Sequence, residues 1–159
     1  LSPSYGIYSG FELCENLGIS GTEEYFHSEK YEIKVRDWEK PGNIKALIAR
    51  LNRIRVENRA LQTLTNLRFF HVDNDNILFY CRATEDKSNV IVMAVNLDPY
   101  RPHHGTGVVN LDAVGVRPHG GFEVSDLLTG ARYTWAEKNF IRLDPGVMPA
   151  HIMRVERRF

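Results

Sequence analysis

The spacing of the hydrophobic residues changes near residue 66, from a helical to a strand-like period. Before this point the clearest pattern is an apolar stripe opposite charged residues, which predicts an amphipathic helix that Asn43 can cap; the stripe consists of Ile44, Leu47, Ile48, Leu51 and Ile54. A shorter helix is predicted over residues 7–17, because apolar residues recur there at roughly helical spacing before Gly18. Residues 19–43 are polar and show no period, which predicts a long loop with short helical turns.

After residue 66 short apolar-rich segments alternate with turn-forming residues. The predicted strands are residues 67–72, 76–83, 90–96, 107–111, 122–126, 132–135, 140–143 and 151–155. Asp144-Pro145-Gly146 is typical of the separators, because Pro145 fixes φ and Gly146 can adopt a positive φ. Short strands at this spacing predict an antiparallel β-sandwich. The pattern therefore predicts two domains, residues 1–66 and residues 67–159.

Charge and composition exclude several classes of partner. The 159 residues include 20 Lys plus Arg and 20 Asp plus Glu, and neither sign forms a block suited to nucleic acid or a lipid surface. The longest apolar run, Val90–Val95, is far shorter than the roughly 20 residues that a membrane helix needs. Cys14 and Cys81 match neither a metal-ligand spacing nor a disulfide framework, so two reduced and buried thiols are expected.

Residues that could suggest chemistry have simpler interpretations at this stage. His103 and His104 fall in a predicted exposed loop without an acidic or cysteine partner at a useful spacing, so no metal or cofactor is predicted. The acidic residues between positions 12 and 37 are interpreted as a solvated surface with local ion pairs to neighbouring Lys and Arg, and not as an acid/base pair. For Trp38, packing against the following turn and helix is favoured over a role as a sugar platform.

Several short segments are specific enough to compare with known families. Before residue 66 they are Ser2–Glu12, Ser28–Lys34, Arg36–Trp38, Leu51–Arg55 and Asn58–Leu61; after it they are Phe122–Gly130, Tyr133–Trp135 and Leu143–Gly146. The first set resembles the end of the barrel, and the second set the terminal sandwich, of the α-1,4-glucan:maltose-1-phosphate maltosyltransferases of the α-amylase clan. Leu51–Arg55 and Asp126–Gly130 recur across that clan, whereas Ser28–Lys34 favours this one family.

The resemblance implies an α+β fragment: the last βα units of a (β/α)8 TIM barrel, whose final strand would end near Leu1, followed by the β-sandwich. It implies transfer of maltose from maltose 1-phosphate to an α-1,4-glucan with retention of configuration, by a cytoplasmic homodimer of glycogen biosynthesis. Retention needs two carboxyl groups about 5 Å apart, at the C-terminal ends of barrel strands. In this family both follow strands upstream of Leu1, so no catalytic residue is expected in this chain, and the chain alone is expected to be inactive.

The resemblance also implies a substrate-binding role for Lys30 and Tyr31, which match a Lys-Tyr pair that contacts the distal glucose of the donor. An ammonium group offers three hydrogen-bond donors to vicinal hydroxyls, and a phenol adds one donor or acceptor beside an apolar ring. Two alternatives stay open: a stand-alone carbohydrate-binding or structural β-sandwich, or a hydrolase or trehalose-forming enzyme of the same clan. The predicted capped helix favours a barrel end over a free module, and its stripe is expected to lack cover in the isolated chain.

Overall fold

The computed structural model describes Ser2, residues 4–26 and residues 33–158, with the backbone alone for Arg157 and Arg158. The chain forms two compact units, one comprising Ser4–Arg53 and a larger one that begins at Ile54. The domain boundary predicted at residue 66 stays a prediction. In the described ranges, every helix is too short or too polar to cross a membrane.

The first unit contains less helix than the sequence predicts. The helix expected over residues 7–17 is wrong: the segment forms a single 3₁₀ turn, Phe11–Leu13. Gly10 (φ 101°) and Cys14 (φ 55°) flank this turn in the left-handed region, which interrupts a right-handed helix on both sides. Cys14 is exposed and Cys81 is buried, and both are free thiols, so the expected burial of both is also wrong. Residues 19–26 and 33–43 contain turns and irregular segments, as expected of a long loop.

The predicted amphipathic helix is confirmed as α1, Lys45–Glu57. Asn43 caps it, because its side-chain oxygen accepts a hydrogen bond from the Lys45 N–H at 3.2 Å. The apolar stripe is unevenly covered: Ile54 is buried, whereas Leu47 is 46% and Leu51 37% exposed.

The described residues of the second unit form nine strands: β1 Leu67–Phe69, β2 His71–Val72, β3 Ile77–Ala83, β4 Val90–Asn96, β5 His103–Val108, β6 Phe122–Asp126, β7 Arg132–Trp135, β8 Lys138–Leu143 and β9 Ala150–Arg158. They form a six-stranded sheet in the order β1-β3-β4-β9-β6-β7 and a three-stranded sheet in the order β2-β5-β8. All strand pairs are antiparallel. Residues from both sheets share one core, which includes Phe79, Phe122, Trp135 and Ile141. The predicted antiparallel β-sandwich is therefore confirmed.

Two predicted strands differ from the structure. The segment 67–72 divides at Phe70, so that β1 pairs with β3 in one sheet and β2 pairs with β5 in the other. The strand expected over residues 107–111 is instead β5, which ends at Val108, followed by the short helix α2, Leu111–Val114. His103 and His104 therefore lie in a strand and not in a loop.

Two glycines explain why β5 was not recognised. Gly105 and Gly107 occupy its buried positions, where an alternating strand would show large apolar side chains. A Cβ atom at Gly107 would lie 2.6 Å from the Phe79 ring and 2.7 Å from Ile141 Cδ1, so these side chains of the core fill the space. At the end of β5, Asn110 starts α2 by accepting a hydrogen bond from the Ala113 N–H at 2.9 Å.

Candidate functional site

Lys30 and Tyr31, the predicted substrate-binding residues, lie outside the described residues. The structure describes the two segments that flank them, residues 17–26 and residues 33–36. These flanks show how the chain is held on each side of the candidate segment, residues 27–32.

Arg36 anchors the C-terminal flank. Its side chain is 3% exposed, and its Nε lies 3.3 Å from Glu15 Oε2. Its Nη1 donates to the Ser9 hydroxyl at 3.2 Å, and its Nη2 donates to the Ser9 carbonyl, also at 3.2 Å. A buried guanidinium with partners on two sides holds one geometry, because breaking any of these bonds would leave a desolvated charge. Arg36 therefore fixes the chain directly after the candidate segment to the Ser9–Glu15 turn.

Lys34 adds a second cation to the same carboxylate, with Nζ 3.0 Å from Glu15 Oε1. Desolvation acts to raise the pKa of Glu15, but hydrogen bonds and charge from Lys34 and Arg36 outweigh it and hold the pKa below its ordinary value. Glu15 is thus an ionised structural partner. The interpretation of this acidic stretch as local ion pairs is confirmed for these residues.

Gly10 lies against this cluster and has no room for a side chain. A Cβ atom there would overlap the Glu15 carboxylate and lie 3.2 Å from Arg36 Nε. Its φ of 101° is also in the region that favours glycine. The nearest contact is with Glu15, but Arg36, 26 positions away, holds that carboxylate in place, which is why the sequence pattern offered no signal for it.

The N-terminal flank is a tight hairpin. Gly18 and Tyr25 form an antiparallel bridge. The Ile19 N–H donates to the Glu24 carbonyl at 2.9 Å, and the Phe26 N–H donates to the Leu17 carbonyl at 2.7 Å. The chain therefore enters the candidate segment from a hydrogen-bonded turn and leaves it at the Arg36 anchor.

Trp38 and His103 are among the other residues that the sequence singled out as candidates for chemistry. Trp38 is 43% exposed. His103 Nε2 lies 3.1 Å from Asp98 Oδ2, and this hydrogen bond is the main reason that the pKa of Asp98 is lowered. Among the described residues, no group of three or more His, Cys, Asp and Glu side chains is arranged to hold a metal ion.

Asp126, in the recurring Asp126–Gly130 segment, has a structural role that the sequence did not reveal. Its carboxylate is fully buried and lies 3.0 Å from His151 Nδ1 on β9. It also accepts hydrogen bonds from the Leu128 N–H at 3.0 Å and the Thr129 hydroxyl at 3.1 Å. One side chain therefore ties the turn after β6 to β9. Burial acts to raise its pKa, but the bonds from His151, Leu128 and Thr129 outweigh it and lower the pKa.

The strands define an antiparallel β-sandwich, and it is preceded in the sequence by a unit of turns and one amphipathic helix. The family model described as "GLGE, C-terminal" matches residues 69–155, and the chain belongs to that family.

Named relatives extend the similarity to nearly the whole chain. An α-1,4-glucan:maltose-1-phosphate maltosyltransferase of Rhodospirillum rubrum is 49% identical over 98% of the chain and 23% of its own length. Maltosyltransferase 2 of Streptomyces coelicolor is 44% identical over 99% of the chain and 24% of its own length. The enzyme of the same name from Corynebacterium glutamicum is 43% identical over 96% of the chain and 23% of its length. The family resemblance is confirmed, and the chain spans about a quarter of the length of these curated relatives.

Proposed function

We propose that the chain is the C-terminal part of a retaining maltosyltransferase, which transfers maltose from maltose 1-phosphate to α-1,4-glucan chains. The observation that carries this proposal is the 49% identity to a protein of that name over 98% of the chain. The similarity therefore includes the helical unit and the candidate segment as well as the sandwich. A free carbohydrate-binding sandwich would need similarity only in the second unit.

In this proposal residues 1–66 complete a (β/α)8 barrel. The exposed apolar side chains of the first unit support it. Ile33 is 99% and Val35 95% exposed, and Tyr8, Phe11 and Leu47 each expose about half of their surface. Apolar surface of this extent marks a contact with further protein. The remaining barrel strands and helices of a longer protein are the partner that this surface fits.

Lys30 and Tyr31 bind the distal glucose of the donor in this proposal. The support from the described residues is indirect. The hairpin at residues 17–26 and the buried Arg36 hold the two ends of the segment that carries them, and a sugar site needs such fixed geometry. A Lys ammonium and a Tyr phenol suit a neutral sugar ring because they combine hydrogen-bond donors with one apolar face.

The reaction itself needs two carboxyl groups, one as nucleophile and one as acid and then base. The proposal places both in other parts of the longer protein and assigns the sandwich of this chain a structural role at the end of the barrel. It also places the enzyme in the cytoplasm, in the synthesis of glycogen-like glucan, as a homodimer. Two free thiols fit a reducing compartment, and a two-fold dimer is the commonest symmetric assembly.

The test uses the full-length protein that carries this chain, supplied with maltose 1-phosphate and a maltohexaose acceptor. Mass spectrometry of the products should show acceptor chains extended in steps of two glucose units, with phosphate released. Proton NMR should show that the new linkage keeps the α configuration. Release of free maltose would indicate a hydrolase, and trehalose would indicate the trehalose-forming alternative; either result in place of extended chains would overturn the proposal.

A further inference from the structure

A groove of about 520 Å³ lies at the point where the chain passes from one sheet of the sandwich to the other. One wall is the segment from Phe69 to His71, which leaves β1 and enters β2. The rest of the lining includes Asn110 to Asp112 at the start of α2, together with His119 and Glu137. The groove is shallow and open to solvent, so it suits a chain that lies along the surface and not a ligand that is enclosed. All of these residues belong to the second compact unit.

Backbone hydrogen bonds hold much of the groove's lining, and the Asn110 side chain adds its bond from the Ala113 N–H. The Phe70 N–H donates to the Phe79 carbonyl at 2.9 Å, and the Phe70 ring packs edge-on against the Phe79 ring at 5.4 Å. Elsewhere in the lining, the Val109 N–H donates to the Glu137 carbonyl at 2.7 Å. The backbone therefore fixes parts of the lining that are far apart in the sequence.

The exposed side chains combine flat rings with hydrogen-bond acceptors. Phe69 is 60% exposed, although its ring lies within 6.2 Å of the Tyr80 ring. His119 is exposed and has a φ of 60°, an uncommon backbone conformation for a residue other than glycine. Asp112 and Glu137 add exposed carboxylates to the lining. Rings bind the C–H face of a sugar, and carboxylates accept hydrogen bonds from its hydroxyls.

Charge distinguishes between possible sugars. Among the described residues that line the groove, the formal charges are the two carboxylates of Asp112 and Glu137, without a lysine or arginine. A phosphorylated sugar would be repelled, because like charges at close range are unfavourable. A neutral, hydroxyl-rich chain meets no such penalty.

We propose that this groove binds a stretch of neutral α-1,4-glucan. The inference rests on the proposed function for the choice of glucan among neutral saccharides. It adds a glucan contact on the sandwich itself, made by Phe69, His119, Asp112 and Glu137. The groove then retains the polymer on the protein while its chain end is extended.

The test uses affinity electrophoresis of the full-length protein in native gels that contain glycogen. The variants are Phe69→Ala and Glu137→Ala. Each removes an exposed side chain, so the fold is expected to survive, and circular dichroism checks this. The matched controls are Phe140→Ala on β8 and Glu85→Ala, which are also exposed but do not line the groove. Loss of one good contact should weaken glycogen retention about fivefold in each groove variant and leave both controls unchanged.

Equal retention of glycogen by the folded groove variants and by the controls would overturn the inference. The same result is expected if other parts of the longer protein cover the groove, and it would overturn the inference in that case too. Competition provides a second readout: maltoheptaose should release the protein from glycogen, whereas maltose 1-phosphate should compete at least tenfold less well for the contact that Phe69→Ala removes. Equal competition by both would also contradict the groove. Phosphate release from maltose 1-phosphate is measured separately, so failure of the proposed function is distinguishable from failure of glycogen retention.

Discussion

Replacement of Asp126 by alanine is expected to destabilise the sandwich strongly, because this carboxylate is fully buried. Besides a longer hydrogen bond from the Ile152 N–H at 3.4 Å, it accepts three hydrogen bonds of about 3 Å. Their donors are His151 Nδ1 at 3.0 Å, the Leu128 N–H at 3.0 Å and the Thr129 hydroxyl at 3.1 Å. Removing one member of a buried charged network costs about 3–5 kcal/mol. Thr129 is exposed and the His151 side chain is 16% exposed, so water can replace part of what these two donors lose. The expected loss is therefore near the lower end, about 3 kcal/mol.

The same contacts predict how the effect depends on pH. The pKa of Asp126 is lower in the folded chain than its ordinary value, so the unfolded chain binds the proton more readily. The stabilisation is therefore present above the ordinary carboxyl pKa of about 3.9 and is lost as pH falls through the folded pKa. The difference in stability between the wild type and Asp126→Ala should shrink on acidification in that range.

Urea unfolding, followed by the fluorescence of the buried Trp135, measures this difference. Asp75→Ala is the matched control, because Asp75 is an exposed carboxylate in a turn, and its loss should change stability by less than about 0.5 kcal/mol. Asp126→Asn keeps one acceptor oxygen and should lose less than Asp126→Ala. A loss below about 1 kcal/mol for Asp126→Ala, or a loss that is unchanged at acid pH, would refute the assigned role.

Three further predictions concern the first unit and the thiols. In the full-length protein, Lys30→Ala should raise KM for maltose 1-phosphate about tenfold without lowering the melting temperature, because it removes a charged hydrogen bond to the donor. Unchanged kinetics would mean that Lys30 is a solvated surface residue that does not contact the substrate. Gly21→Ala should destabilise the chain by about 1–2 kcal/mol, because Gly21 has a positive φ although a Cβ there would meet no atom within 4 Å. Gly10→Ala should cost more, because Gly10 has a positive φ and a Cβ there would also overlap the Glu15 carboxylate. Equal losses of stability in the two variants would contradict the packing at Gly10. Iodoacetamide should label the exposed Cys14 well before Cys81, because burial raises the pKa of the Cys81 thiol to about 11. Peptide mapping measures the order of labelling, and labelling of Cys81 first would contradict the prediction.

Local patterns predicted the elements whose residues carry strong and regular signals. Helix α1 follows from its apolar stripe and the Asn43 cap, and β4, β6 and β7 have the predicted bounds. The segment 67–72 was predicted as one strand, and a contact with another strand decided the outcome there. Phe70 changes sheets because its ring and N–H both contact Phe79, nine residues further along the chain.

The candidate site could be predicted only in part. The ion pairs of Glu15 with Lys34 and Arg36 followed from the mixture of charges, but the burial of Arg36 and its bonds to Ser9 depend on how the turn folds back. The choice of Lys30 and Tyr31 came from the family resemblance, since a Lys-Tyr pair in a charged loop has no distinctive pattern of its own. The groove had no sequence signal, because its lining comes from separate segments, residues 69–71, 108–112, 118–119 and 137.

We propose that this chain supports maltosyl transfer as part of a longer enzyme and supplies neither catalytic carboxyl group. Phosphate release from maltose 1-phosphate in the presence of glycogen tests it most directly, measured in parallel for the 159-residue chain and for the full-length protein. The full-length protein should release phosphate in an acceptor-dependent way, and the 159-residue chain should release none above the buffer background. Turnover by the 159-residue chain alone, or no acceptor-dependent release by the full-length protein, would contradict the account.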